Sequence, residues 1–297
     1  MVAKRIDVVS HGDVYAVAFM DESQVIGGYR NGYIRRWKIE DGQQQGLTMQ
    51  GSGECNILAV SVSRDGRWIV TGDDGRKVIA WNAATHEKAL EFTEDMCPVF
   101  AVDISSDSTR IASVDGKAVQ IFSITSGTRL LPLLPHDHVV SVKFSPNGRR
   151  FATASFVHGF RIYNTHNGDI LFDSEWPVHK ARSPVFITSN GKFIAYSAGS
   201  SVSLWDCVSH KQIGSIITHS AEIISVALSP SGGCLVCGLQ GGKIVIHDLN
   251  ALPLKYFGHD VGVRLPMQRI ADNYYTSSMR TFSSVGQYTL VSFHSYK

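Results

Sequence analysis

The chain of 297 residues has little of what most functional readings start from. Its five cysteines are an odd count without framework spacing, and no Asn-x-Ser/Thr acceptor occurs. Both exclude a disulfide-dense secreted scaffold and point to a reducing interior, cytoplasmic or nuclear. No apolar run approaches the ~18–20 residues that a membrane-crossing helix needs. The opening Met1-Val2-Ala3-Lys4-Arg5-Ile6-Asp7 meets charge before any apolar core, so it lacks the hydrophobic stretch of a signal peptide. A formal charge of +2 and a pI near 8.2 are too mild to make nucleic acid the main ligand. Helical periodicity is missing throughout. So are the Gly-x-Ser-x-Gly elbow, His-Glu-x-x-His, and the Gly-rich phosphate loop ending in Lys-Ser/Thr. The chain therefore reads as no enzyme, with no catalytic residue, cofactor or metal assigned.

What is present is alternation and punctuation. Residues 222–249 read EIISVALSPSGGCLVCGLQGGKIVIHDL, three short apolar runs separated by Ser-Pro-Ser-Gly and Gln-Gly-Gly. Pro presets φ for a turn and Gly tolerates the positive φ that a chain reversal needs. Runs of this length, rich in Val and Ile, predict three antiparallel strands. The first and third are apolar on both faces, so something must cover each side of the small sheet. More copies of the unit supply the cover. An aromatic or His closes the third strand at Trp37, Trp81, Phe122, Tyr163, Trp205 and His247, at successive spacings of 44, 41, 41, 42 and 42 residues. The first turn recurs in phase as Arg64-Asp65-Gly66, Pro146-Asn147-Gly148, Ser189-Asn190-Gly191 and Ser231-Gly232. A period of this size marks a repeat architecture.

Leu204-Trp205-Asp206 and His247-Asp248 close their units as the signature dipeptide of WD-repeat proteins does. Gly258-His259 and, more loosely, Pro135-His136 and Ser10-His11 resemble the Gly-His that opens such repeats, and Ser145-Pro146-Asn147-Gly148 resembles their first turn. The resemblance to the WD-repeat family covers roughly residues 5–260 and implies an all-β fold, a β-propeller of four-stranded antiparallel blades. The chain departs from the family where Phe122, Tyr163 and His247 replace Trp, and where the Asp before the third strand survives only as Asn31 and Asp74. Most units therefore do not spell out the family's network of His, Ser or Thr, Asp and Trp.

Taken in order, 5–9 reads as an orphan strand, which in the family completes the last blade and ties the chain ends together. Blade one spans about 14–39, with Tyr29-Arg30-Asn31-Gly32 as its second turn. Residues 40–54, rich in Gln and Gly, read as a mobile link. Leu130-Leu131-Pro132-Leu133-Leu134-Pro135 suits an outer edge, where proline is tolerated. A longer loop, 175–183, leads into blade five. After Gly258-His259-Asp260 the pattern fails. The whole of 1–297 is expected to be one domain: six clear repeats plus an atypical tail, 261–297, that forms an irregular seventh blade closed by strand 5–9. A six-bladed or incomplete ring is the alternative, and 286–293 the candidate strand of the tail.

Several residue sets invite chemistry and have plainer readings. Cys234 and Cys237 resemble half a zinc or redox site, but i and i+3 on a strand point to opposite faces and no second Cys pair exists, so they read as core. His136-Asp137-His138 could bind a metal, yet no third ligand is evident and it falls where the family carries a structural His. Trp37, Trp81, Phe122, Tyr163, Trp205 and His247 are placed in the core by phase. Arg35-Arg36 and Arg149-Arg150 lack the Gly that follows the Arg pair in lipid-binding propellers.

The resemblance implies a non-catalytic scaffold that binds a protein or peptide partner through the top rim, where the loops into first strands meet the second-to-third-strand turns. A propeller enzyme or a ligand-binding propeller with its site in the central channel is the alternative. No membrane partner is expected, and such arrays also occur as modules of larger proteins or complexes. On the rim, blades one to three carry Asp13, Glu54, Asp73, Asp74, Glu94 and Asp95, whereas blades four and five carry His136, His138, His158, His179, Lys180 and Arg182. Candidate protein-binding residues are Tyr29, Arg30, Asp73, Asp74, His138, Trp176, Lys180 and Arg182, with Trp176 in the longest loop as an aromatic anchor.

Overall fold

The computed structural model describes residues 14–21, 23–38, 40–93, 97–174, 185–189, 192–228, 233–239, 244–249, 252 and 289–291. Blade one is β1 (Val14–Asp21), β2 (Gln24–Tyr29), β3 (Tyr33–Lys38) and β4 (Gln44–Gln50). Blade two is β5 (Ile57–Val62), β6 (Trp68–Asp73), β7 (Lys77–Asn82) and β8 (Lys88–Thr93). Blade three is β9 (Ala101–Ile104), β10 (Arg110–Val114), β11 (Ala118–Ser123) and β12 (Leu134–Pro135). Blade four is β13 (Val139–Phe144), β14 (Arg150–Ser155), β15 (Gly159–Asn164) and β16 (Ile170–Asp173). Blade five is β17 (Val185–Ser189), β18 (Phe193–Ala198), β19 (Ser201–Asp206) and β20 (Gln212–Thr218). Blade six contributes β21 (Ile223–Leu228), β22 (Cys234–Leu239) and β23 (Ile244–Asp248), and one further strand, β24 (Thr289–Val291), comes from the tail. Every sheet is antiparallel with its strands in simple up-and-down order.

The first turns of blades two to four show how local chemistry sets the register. Ser63 donates its hydroxyl to Asp65 at 2.6 Å, the Arg67 amide donates to the same carboxylate, and the Trp68 amide donates back to Ser63 Oγ. Ser105 with Asp107, and Ser145 with Asn147, repeat the arrangement in blades three and four. The reversal needs a left-handed residue, supplied by Gly66 at φ 68° and Gly148 at φ 66°.

Hydrophobic packing runs between blades more than within them. One cluster joins Ile26, Ile34 and Met49 of blade one to Ile57, Ile69 and Trp81 of blade two. Others join blades two and three, three and four, four and five, and five and six. The inner strands β1, β5, β9, β13, β17 and β21 neighbour one another in that order. Such radial stacking covers each sheet on both sides, as the doubly apolar strands require. The approach is close: a Cβ on Gly72 would stand 2.4 Å from Val99 Cγ1 of the next blade.

One element differs from the sequence reading, and the tail strand expected within 286–293 forms but joins the sheet of blade one. Residues 44–50 are a strand pairing Tyr33 with Gln50 and Trp37 with Gln44, so the supposed mobile link is blade one's outer strand. It carries no apolar alternation to signal a strand, because five of its seven residues are exposed and only Met49 is buried. In the tail, Thr289–Val291 pairs with β1, matching Ala16 to Val291 and Ala18 to Thr289, on the edge of β1 away from β2. Segment 5–9 and the rest of 261–297 lie outside the described residues.

Candidate interaction face

Five of the six closing residues are buried, and in most blades the second strand offers them a partner. Trp81 pairs diagonally across Ile69 and Thr71, and its indole N–H donates to Thr71 Oγ1 at 3.0 Å. Tyr163 bears the same relation to Thr153, whose hydroxyl is hydrogen-bonded to His136 Nδ1 at 2.8 Å, and stacks on Phe151 at 4.8 Å. His136 is 1% exposed, and burial pushes its pKa down to about 3. The imidazole is thus neutral and inside the blade, and does not face a metal or a partner on the rim. Trp205 donates to Ser203 on its own strand, and Phe122 stacks on Phe92 of blade two at 4.1 Å.

Blade one turns Tyr29 inward. The residue diagonal to Trp37 is Gly27, which offers no hydroxyl. Tyr29 lies back over Gly27, close enough that a Cβ there would meet its ring at 2.9 Å, and its hydroxyl accepts the Trp37 N–H at 2.7 Å. Tyr29 is only 3% exposed, and the Arg35 guanidinium sits over its ring at 5.3 Å.

The rim itself is stitched from blade to blade by backbone hydrogen bonds. Gly51 N–H donates to Gly32 O at 2.8 Å, Val99 N–H to Asp73 O at 2.9 Å, His136 N–H to Lys117 O at 2.9 Å and His219 N–H to Ser200 O at 2.8 Å. Each of these four loops into a first strand thus leans on the second-to-third-strand turn of the blade before. Asp74 accepts both the backbone and side-chain amides of Asn56, at 2.8 and 2.7 Å, and Asn56 Oδ1 in turn accepts the Asn31 amide. Asp73 is 1% exposed and accepts the Lys77 amide at 2.7 Å, while burial pushes its pKa up. The two aspartates therefore build the rim and do not stand out from it. Among the described residues, Arg30, Glu54, Arg76, Lys117, Asp137, His138, His158 and Glu222 are charged or titratable rim residues left exposed. The acid-rich half is diluted by Arg30 and Arg76, so the charge division expected from sequence is weaker among the described residues. Trp176, Lys180, Arg182, Asp13, Glu94, Asp95 and His179 lie outside them.

The basic pairs act as ties between blades. Arg36 donates to Ala83 O of blade two and to Gln24 Oε1, both at 2.7 Å. Arg150 of blade four donates to Cys207 O of blade five. On the inner strands, Lys143 of β13 pairs with Asp103 of β9 at 2.6 Å, and Asp103 also accepts the Phe144 amide at 2.7 Å. Sequence reasoning did not find this pair, whose signal is two opposite charges on successive inner strands. It also missed His219, preceded here by Thr218 in place of Gly and found only by its phase with His136.

A family model described as WD domain, G-beta repeat matches residues 43–82, 127–156 and 210–248. This is a WD-repeat propeller. Each matched segment of the WD-repeat chain starts at the outer strand of one blade and runs into the next, so every repeat straddles two blades. Periodic tryptophan protein 2 homolog of Dictyostelium discoideum is 25% identical over 82% of the chain and 27% of its own length. Guanine nucleotide-binding protein subunit beta-1 of Drosophila melanogaster is 24% identical over 48% of the chain and 44% of its own length. The WD-repeat chain thus spans well under half of these relatives. Among solved structures, the Cps50 (Swd1) β-propeller domain of Myceliophteria thermophila superposes with a TM-score of 0.68 at 15% identity, covering 82% of this chain and 86% of that one. A chain of a mitotic checkpoint complex gives 0.66 at 18% identity, over 76% of this chain and 71% of that one.

Proposed function

We propose that the propeller is a non-catalytic scaffold that captures a protein or peptide segment on its top rim. The observation carrying this reading is the blade-to-blade stitching, which holds Arg30, Glu54, Arg76, His138 and His158 on a preorganised surface. Preorganisation lowers the ordering cost of association. Buried titratable groups support it from the other side: His136 and Asp73 serve the blades themselves, and the inner-strand charges Asp103 and Lys143 neutralise one another. Relatives and structural neighbours are named as a G-protein subunit and as part of a checkpoint complex, which favours work inside an assembly. An intracellular location fits the free thiols of Cys55, Cys97, Cys207 and Cys237. Among the described residues no helix is long and apolar enough to cross a membrane. The same reading takes 1–297 as one domain, its tail 261–297 supplying a seventh blade closed by strand 5–9.

The proposed binding face extends to Trp176, Lys180 and Arg182, which lie in sequence between β16 and β17. Trp176→Ala with Arg182→Ala should weaken partner capture by about 2 kcal/mol or more and leave the melting temperature nearly unchanged. Capture by affinity pull-down with quantitative mass spectrometry, beside a thermal melt, checks this. Undiminished capture by the double variant would remove the site, and a large fall in melting temperature would make Trp176 a core residue.

A further inference from the structure

Blade six places three metal-binding side chains where blades two and four pair a hydroxyl with an aromatic ring. Its closing residue is His247 of β23, and the residue diagonal to it on β22 is Cys237, since Leu235 pairs with His247 and Cys237 with Val245. This is the offset that joins Thr71 to Trp81 and Thr153 to Tyr163. Side chains related in this way share a face of the sheet. The third member, His219, sits on the loop into β21, in phase with His136 of blade four, and its amide is fixed to Ser200 O at 2.8 Å. The sulfur and the imidazole nitrogens of His219, Cys237 and His247 all lie within 4.8 Å of one another, the one such group of three or more among the described residues.

We propose that His219, Cys237 and His247 form a binding site for a zinc-class transition-metal ion. The two imidazole Nε2 atoms face each other at 3.4 Å with their rings inclined by 62°. Two nitrogens bound to one tetrahedral ion at 2.0–2.1 Å stand about 3.3–3.4 Å apart. A direct N–H···N contact would be expected near 3 Å. Sulfur bound to the same ion would lie about 3.6 Å from each nitrogen, a contraction of the size a small side-chain rotation supplies. The donor set of one thiol and two imidazoles favours zinc and its soft neighbours over magnesium or calcium. Cys237 is wholly buried and in no disulfide. On binding, two imidazole lone pairs and the thiolate pair go to the ion and the thiol proton passes to solvent. Three protein ligands leave the fourth tetrahedral position for water or a further donor. The ion would clip the loop between blades five and six onto two strands of blade six, replacing the hydroxyl–aromatic contact used elsewhere.

The test is titration of the metal-free full chain with Co2+, followed by competition with Zn2+. One equivalent should give a thiolate-to-cobalt charge-transfer band that zinc abolishes, and zinc should raise the melting temperature. Cys237→Ser should remove the band and weaken zinc binding by about 100-fold or more. His247→Phe, which restores an aromatic at the closing position, should fold and fail to bind, as should His219→Gln. A wild-type chain that gives no thiolate–cobalt band overturns the site, whatever the variants do. So does a band of unchanged intensity in folded Cys237→Ser, which would place the ion on another cysteine, or in folded His247→Phe, which would place it on other histidines.

Discussion

Blade two and blade six share a backbone plan and differ in the chemistry of one contact. In blade two, Trp81 and Thr71 are 2% and 1% exposed and joined by a single N–H···O bond. In blade six the same diagonal holds an imidazole and a thiol, with a second imidazole beside them. The register is identical, so the sheet demands only a bulky side chain set across from a small one on that face. The contact's chemistry is left free. Blade one shows the same latitude, since with Gly27 in the small position the hydroxyl comes from Tyr29 two residues later.

The comparison breaks first at Trp81. Trp81→Ala removes a buried aromatic from the cluster joining blades one and two and should cost ~3–5 kcal/mol in urea unfolding, well beyond the cost of His247→Ala in metal-free protein. Equal costs would mean that the two closing positions do not differ in packing. Blade four sharpens the contrast, because it pairs a His with a hydroxyl. The folded-state pKa of His136 is about 3 against an ordinary 6.5. The unfolded chain therefore binds a proton that the folded one refuses, and the His136 contribution to stability is complete above pH 6.5 and falls as pH drops. By pH 5 the loss should reach ~2 kcal/mol. Chemical denaturation at pH 7 and pH 5 measures it, and His136→Gln should flatten that slope; an unchanged slope would locate the titration elsewhere. The smallest effect is expected at Tyr29. Tyr29→Phe leaves the Trp37 N–H without its acceptor and should cost ~1–2 kcal/mol while sparing partner capture. A loss of capture at constant stability would return Tyr29 to the rim.

Much of the fold was legible because a blade's inner three strands carry dense apolar runs between Gly-containing turns, and the closing residues repeat in phase. The outer strand was not legible in blade one. Gln44–Gln50 faces water along most of its length, so nothing in its side chains demands a strand, and only its backbone pairing with β3 reveals it. The rim was half legible: topology located Asp73 and Asp74, but the burial of Asp73 and the tie of Asp74 to Asn56 follow from hydrogen bonds to the chain around them that composition does not show. Tyr29 misled for a related reason. Its place beside the Arg30-Asn31-Gly32 turn suggests exposure, whereas the missing side chain of Gly27 opens the space that draws it inward. His219 and Cys237, 18 residues apart in sequence, meet only because a loop and a strand of one blade converge.

That each repeat straddles two blades has a consequence for synthesis. A ribosome delivers the outer strand of one blade together with the inner strands of the next. While the chain emerges, its newest blade is therefore one strand short, with an open edge of unpaired amides and carbonyls. Each repeat closes the blade behind it and opens another, so any pause in translation leaves one sheet edge available for pairing with another chain. The polar outer strand Gln44–Gln50, with five of its seven residues exposed, is suited to that moment, since before it docks it offers little apolar surface for a wrong partner.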